Sequence, residues 1–191
     1  MKFFTADEHY HHTSKNGGII KYCNRPFKDI REMNECLVSN NNEVVGDGDT
    51  VYHIGDFSIK NIDGTIDIIK RLKGHHIFLK GSHDKLIKKI SNRYPDLVRY
   101  IDCPIHELVL KNKYHLVICH YAMETWPRSH YNSWHLFAHS HCKLALTGKR
   151  HDAGVDCNNY KPLSEDRVIE IMNEKPDNPN YIKRKRALEK Q

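Results

Sequence analysis

Short apolar runs, each ending in polar residues, mark the first half of the chain. Residues 2–6, 51–54 and 76–80 are runs of this kind, and their length and composition predict strands. Two intervening segments repeat apolar residues near the helical spacing, at Ile30, Met33, Leu37 and Val44 and at Ile62, Ile66, Ile69 and Leu72. Pro26 is expected to open the first helix and Gly74 to end the second. The pattern therefore predicts strands that alternate with helices.

The second half of the chain favours strands. Its predicted elements are a short helix over 85–90, a strand pair over 105–110 and 114–119, and further strands over 134–138 and around 153–155. Ser164 is expected to cap a final helix. Strand–helix alternation followed by a strand-rich region is typical of an α/β sandwich with mixed β-sheets.

Length and apolar content indicate a single globular domain without a membrane-spanning segment. The chain has 191 residues, of which 39% are hydrophobic, and we expect one domain over residues 1–175 followed by a basic, weakly ordered tail over 176–191. No apolar run approaches the roughly 20 residues that cross a bilayer, and Asp7 interrupts any signal peptide. We therefore expect a cytoplasmic protein without a membrane partner, and the oligomeric state stays open.

Neither the charge nor the cysteines identify a function by themselves. The net charge of +6 is compatible with a phosphate-bearing substrate, but much of the excess lies in the run over 183–186. The six cysteines include no C-x-x-C pair, which argues against a zinc ribbon. In a cytoplasmic chain we expect all six to be reduced thiols.

Five polar segments, each after a predicted strand, carry the candidate chemistry. They are Asp7-Glu8-His9, Gly55-Asp56, Gly81-Ser82-His83-Asp84, Cys119-His120 and His139-Ser140-His141. Ligands of open α/β sheets bind beyond the carboxyl ends of strands, and aspartate with neutral histidine suits borderline divalent metals. Each segment alone is weak, but the ordered set predicts a two-metal hydrolytic site with a His-Asp pair left for acid–base chemistry.

The ordered set resembles the calcineurin-like metallophosphoesterase superfamily, and more closely a small group of bacterial and phage predicted phosphoesterases. The resemblance implies a four-layer α/β/β/α sandwich with a dinuclear centre, whose ions would be manganese first, with iron, zinc, nickel or cobalt as alternatives. It implies that Asp7, His9 and His141 hold one ion and that Asp56 bridges. It also implies that His120 and His139 hold the other ion, with help from Ser82.

The resemblance also implies how the reaction would proceed. A metal-bridging hydroxide would attack a phosphodiester, His83 would protonate the leaving oxygen, and Asp84 would orient His83. One position departs from the family, because Ser82 replaces the asparagine whose carbonyl normally reaches the second metal. We therefore expect weaker occupancy of that metal site and slower turnover.

Several further residues are candidates for substrate contact. His12, Arg25, Arg128 and His130 could bind phosphate oxygens, and Trp126 and Trp134 could stack on a base, although core packing is favoured for both. The expected partner is a phosphate ester, with nucleotides and nucleic acid among the open classes. Two alternatives remain: a degenerate scaffold that binds a partner protein, favoured by Ser82, and a nuclease that acts on nucleic-acid ends.

Overall fold

The computed structural model describes residues 1–183. Its strands are β1 (Lys2–Thr5), β2 (Thr50–His53), β3 (His75–Leu79), β4 (Arg99–Ile101), β5 (Ile105–Val109), β6 (His115–Cys119), β7 (Trp134–Phe137), β8 (Arg150–Asp152) and β9 (Leu163–Ser164). Its α-helices are α1 (Gly18–Cys23), α2 (Ile30–Val44), α3 (Ile62–Arg71), α4 (Lys85–Arg93) and α5 (Glu165–Glu174).

The strands form two mixed sheets. The five-stranded sheet has the order β4-β3-β2-β1-β9, in which β1 to β4 are parallel and β9 is antiparallel to β1. The four-stranded sheet has the order β5-β6-β7-β8, in which β5 is antiparallel to β6 and the others are parallel. Parallel strands place their carboxyl ends at one edge, so the segments that follow β1, β2 and β3 are neighbours.

Two apolar clusters explain how the layers pack. The first joins the facing sides of the two sheets, with Phe4 and Ile54 from one sheet and Ile118 and Leu136 from the other. The second covers the opposite side of the five-stranded sheet with helices α1 to α4 and includes Met33, Leu37, Ile68 and Ile87. This arrangement confirms the α/β class with mixed sheets.

Local sequence explains where the longer helices begin. The side chains of Asp29, Asn61 and Ser164 each accept a backbone N–H from the residue three positions later, which satisfies an otherwise unpaired donor of the first turn. The predicted Ser164 cap is therefore confirmed. The strand expected around residues 153–155 was misplaced, because β8 ends at Asp152 and Gly154 instead forms an isolated bridge with Ala6.

The cysteines and the C-terminal segment differ from what the sequence predicted. Cys142 and Cys157 form a disulfide, so the expectation that all six cysteines are reduced thiols is wrong for this pair. Residues 177–182 are tied to the segment before β7, since buried Asn178 donates to the carbonyls of Ser129 and Ser133. Ordered packing thus extends past residue 175, and positions 184–191 of the expected tail lie outside the described residues.

Both tryptophans are buried, and the helices in the described part of the chain lack the features of a membrane span. Trp126 and Trp134 are 6% and 4% exposed, which confirms core packing for both. Across residues 1–183, no helix combines the length and the apolar character that a membrane crossing requires.

Candidate metal centre

The loops that follow the first two strands are hydrogen-bonded to each other. Asp7 donates its backbone N–H to the Gly55 carbonyl at 3.1 Å, and His9 donates to the Asp56 carbonyl at 3.1 Å. This extends the pairing of β1 with β2 beyond the strands themselves. The side chains of Asp7, His9 and Asp56 are therefore held at one edge of the sheet, and all three are buried.

Unusual backbone conformation concentrates at the predicted ligands. Asp7, His9, Asp56, His139 and His141 all have positive φ, between 45° and 68°. Residues other than glycine adopt this left-handed region rarely, at a cost on the order of 1 kcal/mol or more each, and such residues cluster at functional sites. The fold therefore maintains costly conformations to aim these side chains at a common space.

Two glycines allow the loops to approach closely. Gly55 has φ +91°, and a Cβ there would lie 2.6 Å from both the Gly81 Cα and His120 Nδ1. A Cβ on Gly81 would collide with the Asp56 carboxylate. Only a residue without a side chain fits either position, and the loops after β2 and β3 meet at that point.

The structure brings the predicted ligands together as two groups. Asp7, His9 and His141 form one, and Asp56, His120 and His139 form the other; within each group the potential ligand atoms lie within 4.8 Å of one another. Asp56 faces both groups, since its Oδ2 lies 3.9 Å from His9 Nε2 and 3.4 Å from His120 Nε2. A single carboxylate thus lies between the two groups.

Several buried atoms at this centre have no hydrogen-bond partner within residues 1–183. They are Asp7 Oδ1, His120 Nε2 and both ring nitrogens of His9. Burial raises the pKa of Asp7 to about 7 and lowers the pKa of His9 to about 2. Unpaired buried polar atoms are costly, and a divalent cation would satisfy a carboxylate oxygen and neutral imidazoles together. The donor set therefore fits a metal ion.

Outer hydrogen bonds orient two of the histidines. His120 Nδ1 donates to the Ile54 carbonyl at 2.9 Å, and His141 Nδ1 donates to Asp156 Oδ2 at 2.7 Å. Because the acceptors have no proton, each ring keeps its Nε2 free to bind a cation, as metal-ligating histidines commonly do. Sequence reasoning did not assign Asp156 to the site, because its contact with His141 depends on the tertiary fold.

Arg25 lies behind the centre instead of at its mouth. Its guanidinium donates to both Asp156 oxygens, to the carbonyls of Asp7 and Glu8, and to the Met33 sulfur. All five N–H donors are used and the side chain is fully buried. The prediction that Arg25 contacts substrate is therefore wrong, and its charge instead supports the loop that carries Asp7 and His9.

The loop after β3 differs in detail from what was expected. Asp84 accepts the backbone N–H groups of Asp56, Gly81 and Phe57 at 2.8–3.1 Å, so its carboxylate joins the two loops and does not orient His83. Burial, then the charge of Asp56, raises the pKa of Asp84 to about 6. The Ser82 hydroxyl donates to Asp56 Oδ2 at 2.7 Å. His83 is exposed, and its backbone N–H contacts Asp56 Oδ1 at 2.8 Å.

The other substrate candidates separate into near and remote positions. The His12 ring lies 5.1 Å from that of His9 and 6.4 Å from that of His83, so His12 borders the centre. Arg128 lines a cavity with Lys113 and His115, where β6 begins. The predicted ligand His120 follows the other end of that strand, roughly 15 Å away by strand rise. Arg128 and the adjoining His130 are therefore misassigned as contacts to a phosphate at this centre.

A buried chain of hydrogen bonds runs away from the centre. His53 Nδ1 lies 2.6 Å from Glu8 Oε1, and His53 Nε2 lies 2.9 Å from His76 Nδ1. His53 is therefore a buried core residue whose two ring nitrogens both have partners. Glu8, between two predicted ligands, gave no separate signal in the sequence because its burial depends on the tertiary fold.

Comparisons with other proteins agree with this fold without naming an activity. No protein-family model matches the chain. The uncharacterized protein MJ1445 of Methanocaldococcus jannaschii is 28% identical over 179 residues, which cover 89% of this chain and 90% of that protein. A crystal structure of the protein of unknown function AQ665 from Aquifex aeolicus is similar with a TM-score of 0.66 and 25% identity, and the match covers 90% of this chain and 98% of that one.

Proposed function

We propose that this protein is a metal-dependent phosphoesterase of the calcineurin-like metallophosphoesterase type, with the four-layer α/β/β/α arrangement of that superfamily. Two divalent ions, manganese first among the candidates, would be held by the two ligand groups. Asp7, His9 and His141 would bind one ion, and His120 and His139 the other, with Asp56 shared between them. The protein would act on phosphodiesters.

One observation carries this proposal more than any other. Asp7, His9 and His120 direct buried atoms that have no hydrogen-bond partner within residues 1–183 to both sides of the Asp56 carboxylate. These residues follow three different strands, with Asp7 and His9 after β1, Asp56 after β2 and His120 after β6. A purely structural role would therefore have to maintain costly buried groups on several separate loops. Two cations would satisfy all of them at once.

The side chains divide the chemical work as follows. Ions bound there would supply Lewis-acid activation of water and oppose the charge that develops on the phosphoryl oxygens. His83, exposed beside Asp56, would give a proton to the departing alkoxide. His12 would contact a non-reacting phosphate oxygen from the other side of His9. Asp84 would act indirectly, because its contacts fix the Asp56 loop against the Gly81 loop.

The charges around the centre support a diester over a monoester. A monoester dianion is commonly bound by a bidentate arginine, but Arg25, which lies against this centre, directs every donor inward. Two histidines, His12 and His83, lie beside the centre with their ring centroids 6.4 Å apart. A singly charged diester needs less compensation from the protein than a doubly charged monoester.

Hydrolysis of methyl p-nitrophenyl phosphate tests the proposal. The protein loaded with manganese should release p-nitrophenolate, a chelator should stop the reaction, and Asp56→Asn and His83→Ala should each reduce kcat by about 100-fold or more. Asp166→Asn is the matched control, since within residues 1–183 this exposed carboxylate forms an ion pair only with Lys111. Activity that persists in Asp56→Asn would contradict the mechanism.

A second candidate follows from Ser82. Its hydroxyl donates to Asp56 and offers no carbonyl to a second ion, which favours a degenerate site that serves as a scaffold for a partner protein. Protein that binds manganese but hydrolyses neither diesters nor monoesters would support this candidate. Cleavage of single-stranded oligonucleotides that weakens with salt would instead support a nuclease.

A further inference from the structure

A cleft of about 480 Å³ opens directly beside the candidate centre. The residues that line it are His12, Ser14, Asn16, Gly18, Lys21 and Tyr22. His12 joins the cleft to the centre, because its ring lies 5.1 Å from the His9 ring and 6.4 Å from the His83 ring. A phosphate held between His12 and His83 would therefore have one of its ester groups at the entrance of this cleft.

Tyr22 presents an exposed aromatic ring at the end of the cleft. Its side chain is 69% exposed, and its ring meets the His141 ring edge-on with centroids 6.1 Å apart. Lys143 Nζ lies 4.5 Å from the centroid of the Tyr22 ring, a cation–π contact that covers one face and limits rotation of the ring. An exposed tyrosine supported in this way offers its other face for stacking.

The loop before α1 holds Tyr22 close to the centre. Gly18 has φ +60°, and a Cβ there would collide with the His12 carbonyl oxygen. The Ser14 hydroxyl accepts the backbone N–H groups of Asn16 and Gly18 at 3.2 and 2.9 Å. These contacts fold the chain back on itself between His12 and α1, so the distance between His12 and Tyr22 is fixed by the backbone.

The charge of the cleft matches an anionic ligand with an aromatic ring. Lys21 lines it and Lys143 borders it, while the lining residues that the structure describes include no carboxylate. Aromatic side chains combined with cations are the usual means of holding unpaired nucleobases, through stacking that tolerates different bases.

We propose that this cleft binds the nucleoside part of a nucleotide phosphodiester, with the base stacked on Tyr22 and the sugar between Tyr22 and His12. This inference rests on the proposed phosphodiesterase function and names the substrate class for the same centre. Lys21 would contact a further phosphate where the substrate has one. Tyr22 is thus a residue that determines specificity and takes no part in the chemical step.

Two substrates with the same leaving group test the inference. Methyl p-nitrophenyl phosphate has no base, whereas the thymidine p-nitrophenyl phosphodiester places a nucleoside where the other ester has methyl. The manganese-loaded wild-type protein should favour the thymidine ester. Tyr22→Ala should lower kcat/KM for the thymidine ester about ten-fold more than for the methyl ester, mainly through KM, because only the thymidine ester loses stacking on Tyr22.

Matched variants separate stacking from structural effects. Tyr22→Phe keeps an aromatic face and should retain the wild-type preference. Tyr94→Ala removes another exposed tyrosine, which lies at the C-terminal end of α4. Tyr94 also makes a cation–π contact, since Arg93 Cζ lies 5.3 Å from its ring centroid. This variant should hydrolyse both esters as the wild type does.

Each alternative outcome decides the matter. Equal losses for both esters in Tyr22→Ala, or no loss for either, would overturn the nucleoside site while the phosphodiesterase function stands. If the wild type hydrolyses neither ester, the phosphodiesterase function is contradicted. In that case equilibrium dialysis with thymidylate tests the cleft separately. Weaker binding by Tyr22→Ala than by the wild type would support the nucleoside site. Equal binding by the two proteins, or no detectable binding by the wild type, would overturn it.

Discussion

Arg25 and Asp156, which are 131 residues apart in the chain, form a two-pronged ion pair behind the candidate centre. Arg25 Nε donates to Asp156 Oδ1 and Nη2 donates to Oδ2, both at 2.8 Å. Asp156 in turn holds His141 Nδ1 at 2.7 Å. The hydrogen bonds to His141 and Arg25 outweigh burial and lower the pKa of Asp156. The buried Arg25 side chain therefore fixes the position of Asp156, and Asp156 fixes the orientation of the candidate ligand His141.

Replacing Asp156 with asparagine tests this link. The carboxylate accepts three donors, Arg25 Nε on Oδ1 and both Arg25 Nη2 and His141 Nδ1 on Oδ2. The amide has one acceptor oxygen and presents an NH2 group in place of the other, so it cannot accept all three. We expect Asp156→Asn to lower manganese affinity about 10- to 100-fold, the usual effect of removing an outer partner of a metal-ligating histidine. Calorimetric titration of the purified protein measures the affinity.

Asp166→Asn serves as the control for this titration. Asp166 also contacts a cation with both oxygens, but it is exposed and distant from the centre. Its substitution should leave manganese binding unchanged. Equal affinity in Asp156→Asn and the wild type would show that the buried ion pair does not orient His141 for binding.

Gly55→Ala should destabilise the protein and disrupt the centre. The new Cβ would lie 2.6 Å from the Gly81 Cα and from His120 Nδ1, at a φ of +91° that alanine adopts poorly. We expect a loss of free energy of unfolding on the order of 3 kcal/mol, measured by urea denaturation. Gly48→Ala is the control, because a Cβ there meets no atom within 4 Å. A loss of equal size in both variants would contradict the argument from close loop approach.

Ser82→Asn should strengthen the second metal site. Asparagine would offer a carbonyl oxygen, whereas the serine hydroxyl donates to Asp56 Oδ2 at 2.7 Å. The variant is expected to bind close to two manganese ions per chain and to hydrolyse the methyl ester faster than the wild type. Ser82→Ala, which offers no carbonyl, should resemble the wild type. Unchanged stoichiometry and rate in Ser82→Asn would reject the prediction.

Stability should fall in acid through His135. This buried ring accepts the Met123 N–H on Nε2 at 3.3 Å and donates from Nδ1 to the Val117 carbonyl at 3.0 Å, so the neutral form fits its surroundings. Burial lowers the pKa of His135 to about 4 from an ordinary 6.5. Because the unfolded chain gains the proton first, stability present above pH 6.5 is lost as the pH falls toward 4, by about 3 kcal/mol in total.

The variant His135→Gln isolates this contribution. It should flatten the fall in stability between pH 6.5 and 4 relative to the wild type. Urea denaturation at several pH values, at fixed ionic strength, gives the two slopes. Parallel slopes in the wild type and the variant would assign the acid sensitivity to other groups.

The sequence predicted those parts of the site that depend on position after a strand. Asp7, Asp56 and His120 each follow an apolar run, and parallel pairing of β1 with β2 brings Asp7 and Asp56 to one edge. His120 reaches them from the other sheet, and its ring donates to the Ile54 carbonyl. The directions of Arg25 and Asp84 could not be predicted, because whether a charged side chain faces inward depends on backbone groups supplied by other loops. Arg128 was misassigned since sequence does not say to which end of the sheet the segment before β7 returns.

Anomalous diffraction from a crystal grown with manganese would locate the bound ions. Two peaks should lie on either side of the Asp56 carboxylate, one against Asp7, His9 and His141 and the other against His120 and His139. Ser82 should leave the second peak weaker than the first. Absence of manganese from both groups, or a peak only at some other place in the molecule, would contradict a two-metal centre at Asp56.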